Sequence, residues 1–337
     1  MEASAGKPGP DVVCAGESMA MLVPEHPGRL ASDTLFRLSV AGAESNVAAY
    51  LSMLGAEVSW ISKVGDDPFG QFMLNELRGL GIDVGHADVA HGFPTGVAFK
   101  DRAAAQTKVW YYRSGSAAST VDEVTAETVS SMDSKLIHLS GITLSLSPSC
   151  ESFMREIIRT KRAGTRISFD VNWRPALWAG SGSEPVLDFA QASDIVFVGL
   201  DEAQALWGSP DEEAVRDLLH LPEILVVKRG AEGSTIFHKG SQVAVPALSV
   251  DVVEPVGAGD AFAAGFLAGY LKGMNMRTCG RLGTIAASTA LSVETDIGVL
   301  PGKTYIEELL ELPEEAWMKA RFAPGPAESS FSRVTNR

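Results

Sequence analysis

The chain has 337 residues, 45% hydrophobic and 21% charged, and carries a formal net charge of −14. A chain this long buries a large core, as one α/β domain with an appendage or as two domains, and its negative charge argues against nucleic acid and anionic membrane as partners. Cys14, Cys150 and Cys279 are widely spaced without a metal-ligand pattern, and neither an apolar leader nor a bilayer-length apolar run occurs, so the reading is a cytoplasmic protein with core thiols.

Residues 1–10 are small and polar with two prolines, and a frayed terminus is expected. The run Val12-Val13-Cys14-Ala15, ending in Gly16, predicts a buried strand. Residues 19–40 mix apolar and polar types and read as an exposed, two-sided ribbon. Over 46–54, Val47, Tyr50, Leu51 and Leu54 share one helical face, and Gly55 stops the helix. Residues 58–64 read as one strand. Asp66-Asp67-Pro68 opens a second helix, with Phe69, Phe72, Met73 and Leu77 inward. Strands at 95–101 and 108–113 would form, with 19–40, a small sheet over the main body. Apolar runs at 136–139, 167–170, 195–198 and 224–227 alternate with helical segments, the signature of a parallel sheet with crossover helices. Residues 234–238 and 242–245 predict a hairpin turning at Lys239-Gly240, and helices at 258–272 and 277–294 close the fold. Beyond Phe322 the sequence has no periodicity and reads as a tail.

The chain is organised around Gly257-Ala258-Gly259-Asp260 and the small-residue helix that follows it. A glycine-rich turn opening a helix aims unpaired N–H groups and the positive end of the dipole at one point, an anion site. Asp260 at its lip makes sense if it takes a proton from a hydroxyl attacking a phosphate. The same residues also suit a tight loop in which Asp260 is an N-cap and the small face serves close helix packing.

Further chemistry sits at predicted strand ends, where open α/β sheets bind ligands. Ala41-Gly42-Ala43-Glu44-Ser45-Asn46 sets small residues and then polar ones before a helix. Tyr111-Tyr112-Arg113 ends a ribbon with two aromatics and a cation, and Phe169-Asp170-Val171-Asn172-Trp173-Arg174 brings Asp, Asn and Arg into one loop. Lys228, Gly230 and Gly233 lie on a strand exit that passes close to a nucleotide or simply leads into a hairpin. With so negative a chain, an anionic substrate needs a local basic cluster, which directs attention to Arg113 and Arg174.

Two stretches in this order resemble the ribokinase-like (PfkB) carbohydrate kinases over about residues 11–312. The first is Ala41-Gly42-Ala43-Glu44-Ser45-Asn46-Val47-Ala48, followed by Val64-Gly65-Asp66-Asp67-Pro68-Phe69-Gly70. The second is Pro255-Val256-Gly257-Ala258-Gly259-Asp260-Ala261-Phe262. The stretches beginning at Tyr111 and Asp170 are similar to the kinases of 2-keto-3-deoxygluconate within that family. The resemblance implies an α/β, ribokinase-like three-layer sandwich with a mostly parallel central sheet. It also implies a β-sheet lid from about 19–40 and 93–115, in one kinase domain flanked by tails at 1–10 and 322–337. It implies ATP and Mg²⁺, with Asp260 as base and the amides of Gly257, Ala258, Gly259 and Asp260 as anion hole. Gly42, Tyr111, Arg113, Arg174 and Asp296 would contact the sugar acid. Lys228, Gly230, Gly233, Gly257 and Gly259 would lie along the nucleotide, and Glu202 would act on the metal through water.

Three departures stand out. Glu254 replaces the Asp usual before the second signature, a stretch that in ribokinases helps hold a monovalent cation, so potassium activation is left open. Gly199 stands where the family has the Asn of its Asn-x-x-Glu, although Glu202 is present, and Ala98 replaces a Tyr found in some lids. A fructokinase or other ketose kinase is the alternative within the class, and a silent nucleotide-sugar sensor lies outside it, argued against by Asp260. A dinucleotide oxidoreductase is disfavoured because the stretch 13–20 holds only Gly16 in place of Gly-x-Gly-x-x-Gly. Oligomeric state is open, with lid-to-lid pairing into a dimer depending on an apolar outer face.

Overall fold

A computed structural model describes residues 9–323 apart from 103–106, 176 and 179–181. Its strands are, in chain order, β1 (Val12–Ala15), β2 (Met19–Pro24), β3 (Phe36–Ala41), β4 (Val58–Ile61), β5 (Lys63–Gly65), β6 (Asp88–Ala90), β7 (Val97–Asp101), β8 (Lys108–Tyr112), β9 (Leu136–Ser140), β10 (Arg166–Asp170), β11 (Ile195–Gly199), β12 (Ile224–Lys228), β13 (Ser234–His238) and β14 (Ser241–Val245). The main sheet runs β14-β13-β12-β11-β10-β9-β1-β4, parallel from β12 to β4, with β13 and β14 added antiparallel.

The continuous apolar runs arise because both faces of this sheet are covered. Side chains alternate across a strand. Val12 and Cys14 therefore enter one core layer, against the helices Ala258–Leu271 and Met276–Leu291, while Val13 and Ala15 enter the other, against Pro148–Thr160 and Glu184–Ala192. This is the expected three-layer α/β arrangement. The hairpin turns where predicted, with Lys239 and Gly240 at φ of 49° and 73°, the left-handed pair that a tight two-residue loop requires.

The second sheet has the order β3-β2-β7-β8 and is built from the two predicted lid segments. Its register puts Leu38, Leu22, Phe99 and Trp110 across one face, and Ser39, Met21, Ala98 and Tyr111 across the other. The expectation of an exposed ribbon over 19–40 fails for β2. Met19, Met21 and Val23 pack with Ala41 and Ala98 in a small core of their own.

Two boundaries also differ from the sequence reading. The stretch 58–64 is not one strand, because β4 stays in the main sheet while β5 leaves it to pair with β6. Lys63 at the break reaches Thr120 O at 3.1 Å and Asp122 at 3.3 Å. The first helix is Ala43–Met53, so Glu44, Ser45 and Asn46 occupy its first turn rather than a preceding loop. Packed chain also continues past residue 312, since Trp317 and Phe322 are buried in the larger core layer. Of the expected tails at 1–10 and 322–337, residues 1–8 and 324–337 lie outside the described residues, and Phe322 belongs to the core instead.

Candidate functional site

The carboxyl ends of β1, β10, β11 and β12, the lid and the start of the helix Ala258–Leu271 meet in one place. Gly257 is the N-cap, at φ 87°, and a Cβ there would come within 2.7 Å of Asp296 O. Conformation and space both call for glycine at this position. The alternative in which Asp260 caps the helix is thereby removed. Asp260 lies inside the first turn, 8% exposed, and accepts hydrogen bonds from Asn46 Nδ2 at 2.8 Å and Asn172 Nδ2 at 3.0 Å. Asn172 takes φ 37°, a left-handed conformation that Asn tolerates better than most residues.

Burial pushes the Asp260 carboxyl up to about 7. The Asn46 hydrogen bond opposes the rise, nearby Asp170 adds to it, and Arg174 and Lys228 restrain it. A carboxylate in this range can take a proton near neutral pH and return it to solvent afterwards.

Beside it, Lys228 Nζ bridges both oxygens of Asp170 at 3.0 and 2.9 Å. Burial works against this ammonium, but Asp170 and Glu202 more than offset it and raise its pKa. Its Nζ lies 3.3 Å from where a Cβ on Gly259 would stand, close to the turn that opens the helix. Glu202 accepts backbone N–H groups of Trp173 at 2.8 Å and Gly199 at 2.7 Å, tying the exit of β10 to that of β11. Burial raises its pKa, against the pull of Lys228. Among the described residues no cluster of three or more His, Cys, Asp or Glu could hold a metal by itself. That donor set fits magnesium carried in on phosphates, which keeps its waters and leans on one or two carboxylates. Gly233 has a structural reason of its own, since a Cβ there would sit 2.0 Å from Val245 O, whereas Gly230 faces open space.

On the lid side, Tyr111 is 47% exposed and its ring centroid lies 5.9 Å from the Arg113 guanidinium carbon. Burial raises the Tyr111 pKa, the positive charges of Arg174 and Arg113 oppose the rise, and the negative charges of Asp296 and Asp260 add to it. The two arginines differ. Arg113 forms a buried ion pair with Glu17, whose carboxylate also accepts from Ser116 Oγ. Arg174 is exposed, donates to Trp173 O at 3.3 Å, and has no ion pair among the described residues. Gly42 is the N-cap of the helix Ala43–Met53 in extended conformation, with Glu17 O 2.4 Å from where its Cβ would be.

Of the residues read from the sequence, Tyr111 and Arg113 lie together, Asp296 lies against Gly257 at the glycine-rich turn that precedes Asp260, and Arg174 stands two residues after Asn172, which donates to Asp260. Sequence reasoning gave no role to Glu17, Asn46, Asn172 or Lys100. Lys100 shares the inward face of β7 with Ala98, a face that the sequence of the strand does not by itself identify.

The profile of the pfkB family carbohydrate kinases matches residues 10–301. The 2-dehydro-3-deoxygluconokinase of Thermoproteus tenax is 38% identical over 310 residues, covering 89% of this chain and 94% of that relative. Among solved structures, a PfkB protein from Polaromonas sp. JS666 superposes with a TM-score of 0.76 at 31% identity, over 85% of this chain and 98% of its own. An uncharacterized sugar kinase from Pyrococcus horikoshii, solved in complex with ATP, gives 0.73 at 25% identity, over 92% and 95%. With these likenesses added to the glycine-capped helix start at Gly257, the buried Asp260 and the four-stranded second sheet, the chain belongs to the PfkB family of carbohydrate kinases.

Proposed function

We propose that this kinase phosphorylates the terminal hydroxyl of 2-keto-3-deoxygluconate, with ATP as donor, giving the 6-phosphate. The observation that carries the choice of a sugar acid is Arg174, an exposed guanidinium without an ion pair among the described residues, two residues after Asn172, which donates to Asp260. A neutral hexose gives no reason for such a charge at the site, whereas a carboxylate is gripped by a guanidinium through paired hydrogen bonds. The name of the Thermoproteus relative supports the same substrate, and the ATP complex of the Pyrococcus kinase supports the donor. Arg113 contributes less charge than Arg174, because Glu17 already neutralises it.

In this reading Asn46 and Asn172 hold the Asp260 carboxylate toward the sugar hydroxyl. Asp260 accepts the hydroxyl proton, the oxygen forms a bond to the γ-phosphorus, and the bond from that phosphorus to the β–γ bridging oxygen breaks, releasing ADP. The amides of Gly257, Ala258, Gly259 and Asp260 stabilise the charge on the moving phosphoryl group. Magnesium would supply further neutralisation of the phosphate oxygens, and Glu202 would act on it through water. Lys228, Gly230 and Gly233 lie along the nucleotide side, and the lid keeps water from competing for the phosphoryl group. The outer face of the lid exposes Phe36, Leu38, Trp110 and Tyr112, the apolar face on which lid-to-lid pairing into a dimer depends.

Release of ADP measured across a panel of sugars and sugar acids tests the substrate. The sugar acid should exceed fructose and ribose by at least about 10²-fold in kcat/KM, as expected of a site built for polar contacts. Equal use of fructose would overturn the carboxylate reading and make this a fructokinase.

A further inference from the structure

The strand β7 carries a lysine into the interior. Lys100 is 0% exposed, and its ammonium makes an ion pair with Asp296 Oδ1 at 2.9 Å, donates to Glu294 O at 3.0 Å and lies 3.9 Å from Glu254 Oε2. These oxygens belong to the two segments that flank the anion-hole turn. Glu254 Oε1 accepts from Val256 N at 3.4 Å, one residue before Gly257, and Asp296 O is the atom that a Cβ on Gly257 would strike. The segment before the turn is docked on a helix end, because Val253 N donates to Leu291 O at 2.7 Å, at the C-terminus of Met276–Leu291. Two buried carboxylates and the negative end of a helix thus converge beneath the turn, and such a place needs one positive charge.

Potassium activation was left open for this stretch of the chain. The residues do not fit a resident potassium ion, because the oxygens it would need are already served by a tethered ammonium of the same charge. We infer that Lys100 supplies, from the lid, the single positive charge that a monovalent cation would otherwise provide, and that the kinase therefore works without potassium. Lys100 touches neither substrate nor the reacting atoms, so it is a positioning residue: it fixes the spacing of residues 254–257 and 294–296, and through them the direction of the anion-hole amides. Because the charge is borne on β7, it also fastens the lid to the turn. The inference rests on the kinase reading above.

The test uses the full chain in potassium chloride and in choline chloride at equal ionic strength. The parent should turn over equally in both, within about twofold, and its thermal midpoint should not differ between them. Lys100→Ala removes the ammonium and opens space. It should lose at least about tenfold in kcat in choline, regain most of it with potassium or ammonium but not with lithium, and gain thermal stability from the same two ions. Lys100→Met, which fills the space without charge, should lose activity and not regain it. A parent stimulated several-fold by potassium would overturn the inference. So would Lys100→Ala behaving like the parent in choline, or failing to respond to potassium in both rate and thermal midpoint. If Lys100→Ala does not fold, the response of the parent to potassium decides. If the parent phosphorylates no sugar or sugar acid, the kinase reading is what has failed, and the thermal midpoints still decide whether Lys100 replaces the ion.

Discussion

Replacing Asp260 with Asn separates the two things its carboxylate does. The parent side chain accepts from Asn46 Nδ2 at 2.8 Å and from Asn172 Nδ2 at 3.0 Å. An amide at position 260 can accept from only one of them and turns its own N–H₂ toward the other. Loss of a positioned base lowers turnover by about 10²–10⁴, and the misdirected amide adds to this. The stability of the fold should change in a way that depends on pH. Burial raises the Asp260 pKa from 3.8 to about 7, so the folded state binds the proton more tightly than the unfolded chain does. Its contribution is full below the ordinary carboxylate range and is lost as pH rises through about 7, a swing on the order of 4 kcal/mol at most. Asp260→Asn should therefore flatten the decline of stability between acid and mildly alkaline pH, while the kcat of the parent climbs through neutrality to a plateau. Coupled ADP-release kinetics and urea melts over a pH series measure both. Turnover of the variant within about threefold of the parent, or a parent profile flat across neutrality, would refute the assignment of the base.

Arg174→Ala should erase most of the preference for sugar acid over fructose, about 10²-fold in the kcat/KM ratio, with little change in thermal midpoint because the side chain is exposed and unpaired. Glu17→Gln should instead cost ~3 kcal/mol in urea-denaturation stability, because it strands the Arg113 guanidinium in the interior. An unchanged urea midpoint would refute that role. Glu202→Gln turns an N–H₂ toward either Trp173 N or Gly199 N, both now donors to the carboxylate, and should raise the magnesium requirement more than the KM for sugar. A magnesium titration matching the parent would leave Glu202 as a tie between two strand exits and nothing more.

The central sheet was readable because burial on both faces leaves a plain trace, as in the four apolar residues of β12 that end at Lys228, and more faintly in β10, where Ile167 and Phe169 flank Ser168 before Asp170. The lid was readable as strands but not as to which face turns inward. Alternation in 97–101 places Ala98 with Lys100, and a lysine on a buried face runs against the usual expectation until its partners, nearly two hundred residues away in sequence, are known. The same distance hid Asn46 as a holder of Asp260, since the two are 214 residues apart. Glu17 gave no signal because a lone carboxylate after Gly16 looks like solvated loop, and only Arg113 arriving from β8's end makes it a buried partner. The split between β4 and β5 was invisible because both halves of 58–64 have strand-like residues. What divides them is the choice of neighbour.

The three thiols have a use in reporting how the molecule opens. Cys14 and Cys279 lie in one core layer and Cys150 in the other, all fully buried. Burial pushes Cys14 well up, Cys150 up to about 11 and Cys279 up to about 12, so none is a reactive thiolate in the closed molecule. An alkylating reagent can therefore meet them only through transient exposure, and the rate of labelling at each site counts opening events of its own layer. Cys14 sits on β1, between β9 and the edge strand β4, two residues before Gly16 and the turn into the lid, while Cys279 lies on a helix of the same layer far along the chain. If Cys14 and Cys279 label together and Cys150 separately, the sheet divides the protein into two cooperative units. If all three keep pace, the sheet instead binds both layers into one.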